Sequence, residues 1–127
     1  MYRLKALLEA SPVLGAHALT LTALFGANLV FNIVANASFK VSASSTNWRG
    51  FLLWQVIGNL AGLITVLTLT ALLRYIPLAV AYPVTVGLAV IGVQVVGALI
   101  LFRETISLMQ WVGTLLIVMG ILLIGGR

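Results

Sequence analysis

The sequence predicts an all-α membrane protein: four transmembrane helices in up-down-up-down order, assembled as a dimer. Three observations carry the helix count. Hydrophobic residues make up 62% of the chain and charged residues only 7%, whereas a soluble domain carries roughly a quarter charged residues. The mean hydropathy is +1.21. The few charges divide the chain into four uncharged stretches, Ser11 to Phe39, Gly50 to Leu73, Tyr75 to Phe102 and Ile106 to Gly126, each long enough for a spanning helix of about 20 residues. The turns between them are very short, so residues 1–127 read as one four-helix transmembrane domain with no soluble module.

Residues 1–12 form a lead-in. Arg3 and Lys5 resemble the basic start of a signal peptide, but Glu9 and Pro12 interrupt the apolar run and the following segment is too long for an h-region. Leu4, Leu7 and Leu8 fall on one side, with Arg3, Lys5 and Glu9 elsewhere. A surface-lying amphipathic helix and a frayed terminus are both open. The first helix is expected at about 14–39, with His17 at the interface near its start. The second is expected at about 51–73, bracketed at its start by Trp48 and Trp54, which read as interface anchors. The third is expected at about 76–102. Pro77 suits its start, where a missing N–H is harmless. Pro83 inside it frees the carbonyl of Ala79, and with Gly87 one turn later it forms a candidate hinge or a static kink. The fourth is expected at about 105–125, with Trp111 as a further anchor.

The first span carries the most informative pattern. Asn28, Asn32, Asn36 and Lys40 recur at every fourth residue in an otherwise almost wholly apolar segment. A 3.6-residue period places them in one slowly drifting stripe. A buried amide without a partner costs on the order of 2–7 kcal/mol on transfer scales, so the stripe cannot face lipid. Two readings are open: a wet groove for an amphipathic solute, or hydrogen-bonded glue between helices. In the groove reading the amides suit sugar hydroxyls or other neutral polar head groups and Lys40 offers a cation for phosphate. In the other, Lys40 merely snorkels to the interface. Gln55 and Asn59 in the second helix are again four apart and would supply a facing polar edge. Tyr82 and Thr85 flank Pro83 with hydroxyls, and Gln94 is placed to bridge to the fourth helix.

Composition also excludes function classes. The seven basic residues are scattered singly, with no run and no interleaved aromatic platform, so no nucleic-acid partner is expected. There is no cysteine, one histidine and two acids, so no metal, cofactor or disulfide framework is expected. No nucleophile-base pair suggests an enzyme. Arg3, Lys5, Arg74 and Arg127 would lie on one side of the membrane and Lys40, Arg49 and Arg103 on the other. That balance barely selects an orientation under the positive-inside rule. It suits insertion both ways as well as a topology set by a partner. In the last helix Gly113 and Gly120 share one face, as do Gly58 and Gly62 in the second, and such small residues let helices approach closely.

The run Tyr75-Ile76-Pro77-Leu78-Ala79-Val80-Ala81-Tyr82, the loop Phe102-Arg103-Glu104 and the run Gly113-Thr114-Leu115-Leu116-Ile117-Val118-Met119-Gly120 resemble the small multidrug resistance family of the drug/metabolite transporter superfamily. The resemblance covers about Ala23 to the C-terminus. It implies a multi-pass transporter of the bacterial cytoplasmic (inner) membrane, often an antiparallel dimer, with alternating access to a cavity lined by the first three helices. It implies a dimer interface on the fourth helix at Gly113, Leu116, Ile117 and Gly120, and a cavity-lining tyrosine at Tyr82. The cation exporters of this family carry a glutamate in the first helix that binds protons and substrate in competition. Aligned on Lys40, that position is Asn32, and Thr85 stands where the family has a cavity tryptophan. An amide neither neutralises a cation nor titrates.

Asn32, Asn36, Lys40 and Ala81-Tyr82-Pro83 further resemble the glutamate-lacking paired subunits that flip aminoarabinose-bearing lipids. The expectation is therefore a flippase-like carrier of an amphipathic or lipid-linked polar solute. Asn32, Asn36, Lys40, Gln55, Asn59, Tyr82 and Thr85 would contact that solute, in a homodimer or a heterodimer with a paralogue. Two alternatives stay open: export of small cationic or polar metabolites with an acid supplied by a partner, and a non-transporting assembly subunit.

Overall fold

A computed structural model describes residues 11–125 of the chain, so the amphipathic pattern of residues 2–10 lies outside the described residues. Helix α1 spans Ser11–Ala43 and α2 spans Trp48–Leu72. Helix α3 spans Leu78–Gly92 and continues as a π-helical segment, Val93–Leu101. Helix α4 spans Leu108–Gly125. All four helical stretches are long and apolar enough to cross a membrane.

Local chemistry sets the helix ends. Lys40 does not stop α1, because Ser44 and Ser45 hold the last carbonyls. The Ser44 hydroxyl donates to Lys40 O at 2.9 Å and the Ser45 hydroxyl to Val41 O at 3.0 Å. The 33 residues of α1 are thus about 50 Å long, and Lys40 lies in the last turn, where its charge complements the helix C-terminus. Asn47 caps α2, its Oδ1 accepting from Gly50 N at 2.7 Å, and starts that helix at Trp48. A reciprocal capping box opens α4: Gln110 N donates to Ser107 Oγ at 3.2 Å and Ser107 N to Gln110 Oε1 at 2.8 Å.

The third span departs from a plain α-helix over 76–102. After Gly92 its hydrogen bonds lengthen to the i→i+5 pattern, and Phe102 N still donates to Gly97 O at 3.0 Å. Arg103 follows at φ 50°, a left-handed backbone that costs a non-glycine residue about 1–2 kcal/mol. That turn brings Glu104 N back to Ala98 O at 2.8 Å.

Contacts at both ends accord with the alternating topology. The rings of His17, near the start of α1, and Tyr75, in the α2–α3 turn, lie 5.3 Å apart. At the opposite end Lys40 Nζ lies 3.1 Å from Glu104 Oε1 in the π segment–α4 turn. The α1–α2 pair has by far the most extensive packing, and the backbone of α4 packs closely on α3 alone among the described elements. Gly58 gives α1 its approach to α2, since a Cβ there would collide with the Phe39 ring. Gly92 does the same for α3 and α1, where a Cβ would meet Leu29 Cδ1 at 2.6 Å. Trp48 stays 72% exposed, with its ring stacked on Phe51, as an interfacial anchor requires.

Ser42 is fully buried at the α1–α2 turn. Its hydroxyl donates to Phe51 O at 2.8 Å and accepts from Gln55 Nε2 at 3.2 Å. Ser42→Ala removes both bonds and should lower the SDS-unfolding free energy of the purified protein by about 1 kcal/mol, with a corresponding fall in the midpoint. An unchanged midpoint would mean that the clamp contributes nothing.

Candidate functional site

The polar stripe of α1 does not form one slot. Four residues turn a helix by slightly more than one full circle, so each step along the stripe rotates it by about 40°. From Asn28 to Lys40 the face moves by about 120°, from α2 round to the far half of the third span.

Asn28 is sealed at the α2 end of this arc, 3% exposed. Its Nδ2 donates to Thr65 O at 2.9 Å and to Thr68 Oγ1 at 3.1 Å, which is interhelical bonding. Asn32 Nδ2 donates back to Asn28 Oδ1 at 2.9 Å and to Asn28 O at 3.1 Å. Asn32 and Asn28 border a cleft of about 150 Å³ with Thr65, Val66, Leu69, Tyr82, Thr85 and Val86. Three helices contribute to that cleft. Asn32 and Tyr82 are accessible polar groups of this cleft, half-buried and 56% exposed respectively, and Thr65 is half-buried with its hydroxyl donating to Gly62 O at 2.6 Å. Thr85 is buried, and its hydroxyl is committed to Ala81 O at 2.8 Å and Tyr82 O at 3.0 Å. It therefore offers the cleft a wall rather than a free donor.

Asn36 belongs to a different opening. Its Nδ2 donates to Asn32 O at 2.9 Å, but its side chain borders a cleft of about 420 Å³ with Ala89, Val90, Val93, Gln94 and Ala98. Asn36 and Lys40 share a further cleft of about 180 Å³ with Val93, Gly97, Ala98, Phe102 and Glu104. Both openings lie against the π segment. Gln55 and Asn59 border none of these clefts. Gln55 is bonded to Ser42, and Asn59 Nδ2 donates to Gln55 O at 2.7 Å on an exposed face. The subunit thus brings Asn32, Tyr82 and Thr85 together, and separately Asn36 and Lys40.

Gly87, read as half of a hinge with Pro83, is buried against the fourth helix. A Cβ there would sit 2.6 Å from Ile121 Cδ1 and 3.6 Å from Ile117 Cγ2. Its smallness serves the α3–α4 contact. Ile117 is accordingly turned towards α3, whereas Leu116 is 62% exposed, and nothing lies within 4 Å of a Cβ built at Gly113 or Gly120. That open side of α4 is available to a neighbour.

Two residues outside the expected set complete the site. Glu104 borders the Lys40 cleft and a cleft of about 320 Å³ on its other side, with Gln94, Gln110, Gly113 and Thr114. Gln94 borders two clefts, and its Oε1 accepts from the buried Thr114 hydroxyl at 2.7 Å, the bridge to the fourth helix that its position suggested. Glu104 carried no such signal, since it sits in the loop beyond the span.

Residues 19–117 match the family model of the Small Multidrug Resistance protein. Neither the curated proteins nor the solved structures give a significant match. The matched segment takes in all of α2, α3 and the π segment and most of α1, with the clefts described above. Proteins of this family are transporters and not enzymes, and they act as oligomers in the membrane. Over three-quarters of its length, and with four spans in the matching order, the chain belongs to the small multidrug resistance family of multi-pass membrane transporters.

Proposed function

We propose that this protein moves an amphipathic solute, lipid-linked or neutral and polar, across the bacterial cytoplasmic membrane by alternating access. It does so as a dimer, with no proton-binding carboxylate. One observation carries the reading: the polar side chains open to the α1–α3 cleft are neutral, Asn32, Thr65 and Tyr82, and Glu104, the one acid among the described residues, lies outside the four spans. Neutral donors and acceptors recognise hydroxyls and phosphate esters; they do not exchange a proton for a cation. The clefts lie between helices whose outer faces are apolar, so a hydrocarbon tail can stay in lipid while the head group moves along the amides. Such a carrier runs downhill, driven by the gradient of the head group or by its capture on the far side.

The test uses the cysteine-free background of the chain. Asn32→Cys and Asn36→Cys should react with a membrane-impermeant thiol reagent, while Asn28→Cys resists it. In reconstituted vesicles the protein should speed the flipping of a fluorescent polyprenyl phosphate lipid. Asn32→Leu should slow that rate by about tenfold, the equivalent of one lost hydrogen bond to the moving head group. Unreactive cysteines at both 32 and 36, together with no lipid movement, would overturn the proposal.

A further inference from the structure

The Asn36 opening, the Lys40–Glu104 pair and Gln94 lie on one continuous surface. The clefts at Asn36 share Val93 and Ala98, and Gln94, Ala98 and Glu104 carry the surface on to α4. From this juxtaposition we infer a second solute station, separate from the Asn32 cleft, that binds a phosphate ester, with Glu104 as the built-in anion it displaces.

Four observations support it. Lys40 already holds an anion: Glu104 Oε1 sits 3.1 Å from Nζ, with the two side chains 51% and 45% exposed. An ion pair that open to solvent is weakly held, so a competing anion can replace the carboxylate. The pair is delivered, not incidental. The left-handed turn at Arg103 and the Glu104 N to Ala98 O bond fold the loop back against the π segment. Gln94 is also oriented. Thr114 occupies its carbonyl oxygen, which leaves the Nε2 hydrogens without a partner among the described residues and available to an acceptor-rich group. Finally, among the described residues, this end of the bundle carries Lys40, Arg49 and Arg103 against Glu104 alone. That surplus favours an anionic head and disfavours a cationic one.

The chemistry is shared by a lipid phosphate and by free phosphate. Dodecyl phosphate, inorganic phosphate and dodecyltrimethylammonium separate the cases by native mass spectrometry of the purified protein. Dodecyl phosphate should bind the wild type and the ammonium amphiphile should not. Glu104→Gln removes the resident competitor and should bind dodecyl phosphate about two- to fivefold more tightly, the scale on which exposed ion pairs act. Lys40→Gln should abolish that binding, and Gln94→Glu should weaken it. Because Lys40 and Glu104 are half-exposed, Lys40→Gln and Glu104→Gln are expected to leave the fold intact. Displacement by inorganic phosphate at equal concentration assigns the station to the free anion, and resistance assigns it to a lipid head. Equal or weaker binding by Glu104→Gln, or equal binding of the ammonium probe, overturns the inference. The station rests on the amphipathic-solute reading, but the two separate cleanly. Phosphate binding without lipid movement refutes transport of the tested lipid, and lipid movement without phosphate binding refutes the station.

Discussion

Asn32→Glu is expected to give this protein binding of lipophilic cations coupled to proton release. The substitution places a carboxylate in the cleft of about 150 Å³ that Asn32 borders with Tyr82, Thr65 and Leu69. The existing amide offers no charge to a cation. A carboxylate in a low-dielectric cleft attracts one strongly and gives up its proton in exchange. Tetraphenylphosphonium, a hydroxyl-free cation, should show no measurable binding to the wild type in titration calorimetry. With Asn32→Glu it should bind at least about tenfold more tightly, a difference of roughly 1.4 kcal/mol, and more tightly at pH 8 than at pH 6. The cost is in insertion, since an acidic side chain at a helix centre is disfavoured by about 2.5–3.5 kcal/mol. Equal binding by the two proteins would show that the cleft lacks the surroundings of a cation site, and that the amide is one of several departures.

Gly58→Leu should separate the first helical hairpin. The Cβ alone collides with the Phe39 ring, and the remaining side-chain atoms have no space at a position that is buried between α1 and α2. Overpacking of this kind costs typically 1–3 kcal/mol. Here it falls on the most extensive contact of the bundle. The SDS-unfolding midpoint should drop accordingly, by more than for Ser42→Ala. Gly62→Leu is the control, because nothing lies within 4 Å of a Cβ built there. Similar losses from both would place the effect in leucine itself and not in the Phe39 contact.

The four spans were legible because hydropathy and charge act over whole segments and leave few alternatives. Pro77 marked the start of α3 correctly, and the Gln94 bridge to α4 followed from a lone amide in an apolar span. Other features depend on geometry that composition does not carry. Nothing in Val93–Leu101 distinguishes an i→i+4 from an i→i+5 ladder, since both satisfy the same backbone groups. The extension of α1 to Ala43 depends on serine hydroxyls turning back onto carbonyls, and serine signals a turn as readily. The stripe is legible as polar, but where its drift carries each amide depends on the neighbouring helices. Asn28 is consumed by Thr65 and Thr68, Asn32 opens near Tyr82, and Asn36 opens near Gln94. Gln55 is expected opposite the stripe, and its amide donates to the buried Ser42 hydroxyl. Gly87 follows Pro83 by about one turn, and the room its missing side chain makes for Ile121 is a packing detail the sequence does not carry.

The bonds from Asn28 to Thr65 and Thr68 also bear on biogenesis. Every group in that junction comes from the first two spans. As the chain leaves the ribosome, the most costly amide of the opening span finds its acceptors as soon as the second span arrives, with no help from later segments. The first hairpin can thus be released laterally into lipid as a finished unit, and it waits there as the surface on which the second half of the protein settles.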